Sequence, residues 1–286
     1  MKLCRFTPAR SVDVRVGLIP DGRTLVDLTG AGVHRMKDLL ERADLAGELT
    51  RLSAAGLITH ALDSVRLLTP VESQEVWAAG VTYLRSREAR MVESEFSASA
   101  YDRVYDAERP EIFFKSLPDK VVSPGDSVGI RRDARWNVPE PELALAINSA
   151  GAIVGFTIGN DMSSRDIEGE NLLYLPQAKI YTRSCAVGPW IVVGPTEDEA
   201  RQWTIQLEIR RGAETVFAGA TRADQIKRRF AELVEYLFRS QAFPNGAVLL
   251  TGAGIVPPDS FTLEAHDAVR ITISGIGTLE NAVTIV

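Results

Sequence analysis

Three carboxylates lie at positions from which they could share one divalent cation. Glu140 and Glu142 are two residues apart, and alternate residues of a strand point to the same face. Asp161 follows the apolar run 152–158 and returns beside Glu140 if a hairpin forms through 148–151. Carboxylates without histidine or cysteine are ligands that Mg²⁺, Mn²⁺ or Ca²⁺ prefers. The alternative is that they are solvated acids at a strand edge and in a turn.

The elements that would position these acids are mostly strands. Short apolar segments recur between Gly and Pro residues, and strands do not alternate regularly with long helices. The pattern predicts a β-rich α+β fold, with a small N-terminal α+β domain over 1–70 and a catalytic domain over 71–286. Apolar spacing predicts one long helix over 222–239, and weak periodicity predicts a loop with a helical start over 164–182.

Composition narrows the classes of partner. The chain has 286 residues, and its hydrophobic and charged contents of 45% and 24% are typical of a globular protein. A net charge of −6 argues against nucleic acid or an anionic membrane as the partner. The two cysteines are far apart, which suits a reducing compartment rather than a disulfide framework. The N-terminus lacks the plan of a signal peptide, and no apolar run is long enough to cross a membrane, so a cytoplasmic protein is expected.

An ordered series of motifs, from about residue 75 to the last residue given, resembles the fumarylacetoacetate hydrolase family. The matching segments are Glu140-Pro141-Glu142, Gly155-Phe156-Thr157-Ile158-Gly159-Asn160-Asp161-Met162-Ser163-Ser164-Arg165-Asp166, Lys179, Gly188-Pro189-Trp190-Ile191-Val192, Thr251-Gly252 and 274–281. The resemblance implies a mixed β-roll catalytic domain after a small N-terminal domain, in a homodimer or a dimer-based higher oligomer. It also implies one Mg²⁺ or Mn²⁺ on the three carboxylates, and 2-keto acids or β-diketones as small-molecule substrates.

Within that family, the segment that opens the catalytic domain resembles the 2-keto-3-deoxy-pentonate dehydratase branch. Hydrolytic members have a histidine there that activates water, whereas 80–90 contains none. The features shared with the dehydratases are Gly80-Val81-Thr82-Tyr83, Ser86-Arg87, 109–115 and 168–179. This resemblance implies that Glu111 and Lys179 serve the chemistry, and it makes Ser86 and Arg87 candidate substrate contacts.

Lys179 is the candidate base and Glu111 the candidate acid for the loss of water. A lysine beside a dication in a closed pocket has its neutral form favoured, so it could remove the C3 proton of the substrate. Glu111 would protonate the departing C4 hydroxyl, and the two roles could be exchanged. The alternatives are a surface lysine on a loop and a strand-edge carboxylate.

Two further residues are candidate substrate contacts. Lys115 shares a strand face with Glu111 if that strand is regular, so it could contact the substrate or form a structural ion pair. Thr251 could bind the substrate carboxylate through its hydroxyl and backbone N–H, or it could be an ordinary strand-ending threonine.

The leading hypothesis is a metal-dependent hydro-lyase that converts a 2-keto-3-deoxy sugar acid to 2,5-dioxopentanoate. One alternative is another reaction of the same family, the hydrolysis of an acylpyruvate or fumarylacetoacetate or the decarboxylation of oxaloacetate. A second alternative is a metabolite-binding protein without catalytic activity, which would not need a candidate base such as Lys179.

Overall fold

The computed structural model describes residues 1–84 and 103–286, in which strands predominate. The strands are β1 (Lys2–Pro8), β2 (Arg15–Ile19), β3 (Thr24–Asp27), β4 (Thr59–Ala61), β5 (Val65–Leu68), β6 (Glu75–Gly80), β7 (Glu111–Ser116), β8 (Val128–Ile130), β9 (Asn137–Val138), β10 (Pro141–Ile147), β11 (Ile153–Asp161), β12 (Ser163–Ser164), β13 (Cys185–Val192), β14 (Thr204–Arg211), β15 (Glu214–Arg222), β16 (Ala247–Leu250), β17 (Ala268–Ile273) and β18 (Gly277–Ile285). The α-helices whose full extent is described are α1 (Met36–Leu40), α2 (Leu45–Ser53), α3 (Arg165–Glu170), α4 (Leu175–Lys179), α5 (Glu197–Ala200) and α6 (Phe230–Phe238). Single 3₁₀ turns occur at Leu28–Ala31, Leu62–Ser64, Pro118–Lys120, Leu172–Tyr174 and Ala223–Gln225. The predicted β-rich α+β class is confirmed.

A mixed sheet of eleven strands forms the framework of the described residues. Its path is β4-β3-β2-β1-β13-β11-β10-β16-β6-β7, and β5 also pairs with β1. The predicted hairpin is present as β10 and β11, which pair antiparallel from Pro141 opposite Asn160 to Ile147 opposite Ile153. Gly151 in the connecting turn has a φ of 79°, a left-handed conformation that glycine adopts without steric cost.

Alternation along β10 separates the hydrophobic core from the acids. Leu143, Leu145 and Ile147 pack into the main core, between this sheet and the second sheet, β15-β14-β17-β18-β8, with α6 alongside. Ala144 joins a different cluster with residues of β6, β13 and β16. Since successive strand residues face opposite sides, Glu142 shares the face of Ala144 and points away from the main core.

The main sheet continues across the predicted domain boundary near residue 70. β1 pairs with β2 and β5 of the N-terminal region and also with β13, through Lys2 opposite Val192. The core beneath α1 and α2 likewise includes Ala146, Ile191 and Val193 from β10 and the segment around β13. The division into 1–70 and 71–286 stays a prediction, and the N-terminal region buries its apolar face against the rest of the chain.

Two predicted elements differ from the observed ones. The helix expected over 222–239 is a 3₁₀ turn followed by α6, because the backbone N–H of Lys227 donates to Thr82 O at 2.9 Å instead of within a helix. The loop expected over 164–182 is largely helical, as α3, a 3₁₀ turn and α4. In both places contacts with distant residues decide the backbone conformation.

We expect Leu145→Ala to lower the free energy of unfolding by about 2–5 kcal/mol, because its fully buried side chain would leave a cavity in the main core. Leu173→Ala is the matched control. Its side chain is 83% exposed, and the change should cost less than about 0.5 kcal/mol. Urea unfolding of both variants measures the difference, and equal effects would contradict this account of the core.

Candidate metal centre and active site

Glu140 and Asp161 lie side by side because β10 and β11 are antiparallel. The backbone N–H of Glu140 donates to Asp161 O at 3.2 Å, and that of Asp161 donates to Glu140 O at 3.0 Å. The two residues therefore form a hydrogen-bonded cross-strand pair whose side chains share one face. Glu142, two residues on and opposite Gly159, points to that face as well.

This register brings together the three predicted metal ligands. One carboxylate oxygen from each of Glu140, Glu142 and Asp161 lies within 4.8 Å of the other two, and all three side chains are buried. The donor set consists of oxygen alone, which suits a hard cation such as Mg²⁺ or Mn²⁺. The residues present therefore fit the predicted ion.

Burial and the neighbouring acids affect the ionisation of Glu142. Burial raises the pKa of Glu142 well above its ordinary range, and the negative charges of Asp161 and Glu140 raise it further. The ammonium of Lys179 and a hydrogen bond from the backbone N–H of Gly252 act in the opposite direction. A bound dication would favour the ionised form.

Lys179 is the last residue of α4, and its ammonium enters the acidic cluster. Nζ donates to Glu140 Oε2 at 2.8 Å and to Asp161 Oδ2 at 3.1 Å. A third bond joins Nζ to Ser163 Oγ at 2.6 Å. The side chain is 1% exposed, so the surface-loop alternative for this lysine is wrong.

A small cleft that is partly open to solvent lies over the triad. Its walls come from β6, β7, α3 and α4 and from the hairpin of β10 and β11 that carries the three acids. Glu111 and Lys179 both line it. The remaining lining residues are Ala79, Gly80, Val81, Phe113, Glu140, Glu142, Asp161, Arg165, Glu168, Gly252, Ala253 and Val256. The predicted acid and base thus face the same space as the metal ligands.

Lys115 is placed behind the triad, away from the cleft lining. Its fully buried Nζ forms an ion pair with Asp161 and donates to Met162 O at 3.0 Å and to Lys179 O. These contacts support the ion-pair alternative for Lys115, and its predicted substrate contact stays untested.

Thr251 is also committed to internal contacts. Its backbone N–H and its Oγ1 both donate to Leu143 O, at 3.0 and 2.8 Å, and its carbonyl accepts from Thr82 Oγ1 at 2.6 Å. Gly252 and Ala253, rather than Thr251, line the cleft. The predicted contact of Thr251 with the substrate stays a prediction. Ser86 and Arg87 lie outside the described residues, so the substrate contacts predicted for them also stay predictions.

Arg165 and Glu168 are site residues to which the sequence assigned no role. Arg165 Nη1 donates to Glu140 Oε1 at 3.0 Å, and its Nε lies 3.9 Å from Glu168 Oε2. Both side chains are buried and line the cleft. Their spacing of three residues is the signal that could have identified them, because it places both on one face of a helix. The apolar periodicity of this segment is weak, so it predicts only a loop with a helical start.

Histidine has no part in this cleft. The chain has three histidines, and His34, His60 and His266 are all absent from the cleft lining. The water-activating histidine of the hydrolytic members therefore has no counterpart among the residues that surround the triad.

The fold and the site define a class of protein that can hold a divalent cation on strand-borne carboxylates beneath a small polar cleft. The family model described as fumarylacetoacetate (FAA) hydrolase C-terminal matches residues 75–284. This chain therefore belongs to the fumarylacetoacetate hydrolase family, and the predicted β-roll fold of that family is confirmed.

Known proteins resemble the chain over nearly its whole length. A Haloferax volcanii protein named probable 2-keto-3-deoxyxylonate dehydratase is 46% identical over 271 residues, covering 92% of this chain and 93% of that protein. The 2-dehydro-3-deoxy-D-arabinonate dehydratase of Saccharolobus solfataricus is 37% identical over 266 residues, covering 91% and 89%. A solved structure of 2-keto-3-deoxy-D-arabinonate dehydratase complexed with magnesium and 2,5-dioxopentanoate gives a TM-score of 0.82 at 33% identity. The match covers 100% of this chain and 99% of that chain. The predicted resemblance to the dehydratase branch is confirmed.

We expect the affinity for Mg²⁺ to increase with pH. Because the pKa of Glu142 is raised, protons compete with the cation until the pH exceeds that pKa. In the metal-free protein the native state holds this proton more tightly than the unfolded chain. The protonated Glu142 therefore contributes to the stability of the folded protein at pH values below the ordinary pKa of glutamate. This contribution is lost as the pH rises through the pKa that Glu142 has in the folded protein.

Isothermal titration calorimetry at several pH values, in buffers of different ionisation enthalpy, measures both the affinity and the proton release. Glu142→Gln should bind Mg²⁺ more weakly and lose the proton release. A wild-type affinity that does not change with pH would contradict the role assigned to Glu142.

Replacement of Lys115 tests its two alternatives. Lys115→Met removes one partner of a buried ion pair and should lower the free energy of unfolding by about 3–5 kcal/mol. The exposed Lys120 provides the control, since Lys120→Met should cost less than about 0.5 kcal/mol. Unchanged stability together with a raised KM would instead support a substrate contact.

Proposed function

We propose that this protein is a Mg²⁺-dependent hydro-lyase that dehydrates a 2-keto-3-deoxy pentonate to 2,5-dioxopentanoate. The observation that carries the proposal is that Lys179 and Glu111 line one cleft with the buried carboxylate triad. The names of the similar proteins agree with this reaction, and the solved relative contains magnesium and 2,5-dioxopentanoate.

The triad would hold the cation, which when bound supplies a Lewis acid for the carboxylate and C2 carbonyl of the substrate. With a dication bound at the triad, the neutral form of Lys179 would be favoured over the ammonium. The neutral Nζ would take the proton from C3, and Ser163 Oγ, 2.6 Å away, would orient the amine. Glu111 would give a proton to the C4 hydroxyl, which leaves as water. The geometry also accommodates the exchange of these two roles, since both side chains line the cleft.

The remaining rearrangement involves proton shifts alone. Loss of the C3 proton and the C4 hydroxyl leaves a double bond between C3 and C4. C5 then loses a hydrogen while C3 gains one, which gives an enol at C5. Transfer of the enol proton to C4 yields the aldehyde of 2,5-dioxopentanoate, so the net change is the loss of one water.

The alternative reactions of the family receive less support from the cleft. Hydrolysis of an acylpyruvate or fumarylacetoacetate needs a group that activates water, and no histidine lines the space around the triad. Non-catalytic metabolite binding does not account for an acid and a buried amine that both face the cleft. Decarboxylation of oxaloacetate would need the same cation, so a substrate comparison separates it from dehydration.

We also propose that the protein forms a homodimer or a dimer-based oligomer, as the family resemblance implies. Light scattering coupled to size exclusion tests this, and a monomer would contradict it. No helix within residues 1–84 and 103–286 is long and apolar enough to cross a bilayer. The expected cytoplasmic location stays a prediction.

We expect the purified protein with Mg²⁺ to convert 2-keto-3-deoxy-D-arabinonate or 2-keto-3-deoxyxylonate to 2,5-dioxopentanoate. Glu111→Gln and Lys179→Met should each lower kcat by about 10²–10⁴-fold, because each removes a proton-transfer group. A coupled assay of aldehyde formation measures kcat, and chelation of the cation should abolish turnover.

Glu214→Gln, at an exposed position of β15, is the matched control and should retain wild-type kcat. Melting temperature and metal content identify any variant that has lost its fold or its cation. Turnover of acylpyruvate or oxaloacetate without turnover of any 2-keto-3-deoxy acid would reject the proposed function.

A further inference from the structure

Gly80 and Glu111 are direct partners across two strands of the main sheet. β6 ends at Gly80 and β7 begins at Glu111, and the antiparallel register places these two residues opposite each other. Both line the cleft over the triad. The candidate acid therefore lies beside a position that has no side chain.

The carboxylate of Glu111 occupies the space that a side chain at position 80 would need. A Cβ built on Gly80 would lie 2.1 Å from Glu111 Oε2 and 2.6 Å from its Cδ. Both distances are well below van der Waals contact, so the carboxylate and a β-carbon cannot both occupy these positions. The carboxylate lies against the bare backbone of its cross-strand neighbour.

Backbone conformation does not explain the glycine at this position. Gly80 lies at the end of a regular strand and does not have a positive φ, whereas Gly252 in the same cleft does. An alanine could therefore adopt the backbone of Gly80 without strain. The atoms it would meet are at the far end of a flexible side chain, so the fold can accommodate the change by moving the Glu111 carboxylate.

We infer that Gly80 is a positioning residue for the reaction, which directs the Glu111 carboxylate into the cleft by leaving the adjacent space open. The inference rests on the proposed function in so far as Glu111 transfers a proton. A β-carbon at position 80 would push the carboxylate away from the reacting atoms, and a displacement of about 1 Å can cost on the order of a hundredfold in rate.

The inference predicts a selective defect in Gly80→Ala. The value of kcat should fall by about 10–100-fold, because proton transfer depends on the position of the carboxylate. KM and the Kd for Mg²⁺ should stay within about twofold of the wild-type values, because the triad is not altered. The melting temperature should stay within a few degrees, because the strand backbone is not altered. Gly30→Ala is the matched control: its Cβ would meet Leu57 Cδ2 at an ordinary 3.5 Å, and all properties should be unchanged.

A double-mutant cycle separates positioning of Glu111 from a general structural effect. If Gly80 acts through Glu111, adding Gly80→Ala to Glu111→Gln should lower kcat by less than about twofold further. Multiplicative losses in the double variant would overturn the inference. So would full activity of Gly80→Ala, or parallel losses of its stability and Mg²⁺ binding.

A crystal structure of Gly80→Ala gives a readout that does not require activity. A Glu111 carboxylate displaced from its wild-type position supports the inference, and an unmoved carboxylate overturns it. If the wild-type enzyme turns over no 2-keto-3-deoxy acid, the proposed function fails, while this measurement still decides whether Gly80 positions Glu111.

Discussion

Repulsion among three buried carboxylates is the constraint on which the organisation of this protein depends. Glu140, Glu142 and Asp161 are buried close together, and like charges interact more strongly when they are buried than when they are in water. Ammonium groups offset part of that repulsion, with Lys179 between two of the acids and Lys115 behind Asp161. The three carboxylates also supply the oxygen ligands that a dication such as Mg²⁺ prefers.

Charged side chains connect α3 and the end of α4 to Glu140 at the edge of the sheet. The buried side chains of α3 are Arg165 and Glu168, and the arginine contacts the Glu140 oxygen that Lys179 does not. A helix held in this way needs no apolar stripe. The same contacts connect the wall of the cleft to Glu140, one of the predicted metal ligands, so residues that line the cleft also balance its charge.

The division of labour in the cleft follows from the topology. The β10–β11 hairpin carries the three predicted cation ligands, and the proposed base and acid, Lys179 and Glu111, reach the same cleft from α4 and β7. In the proposed reaction, a 2-keto acid bound at the triad would share the cleft with both groups, one to take the C3 proton and the other to protonate the C4 hydroxyl. The bare backbone at Gly80 lets Glu111 occupy its place in that arrangement.

The hairpin that carries the three predicted metal ligands follows from the sequence, because strand alternation and a short turn are local properties and suffice to put the three acids on one face. Long-range packing is responsible for the burial of Lys115, for the hydrogen bonds of Thr251 to Leu143 and for the helices between Arg165 and Lys179. It also interrupted the helix expected over 222–239, through the hydrogen bond from Lys227 to a distant carbonyl. Hydrogen bonds and ion pairs between residues far apart in the chain stabilise these features. The local periodicity of a sequence cannot predict them, because it does not depend on distant partners.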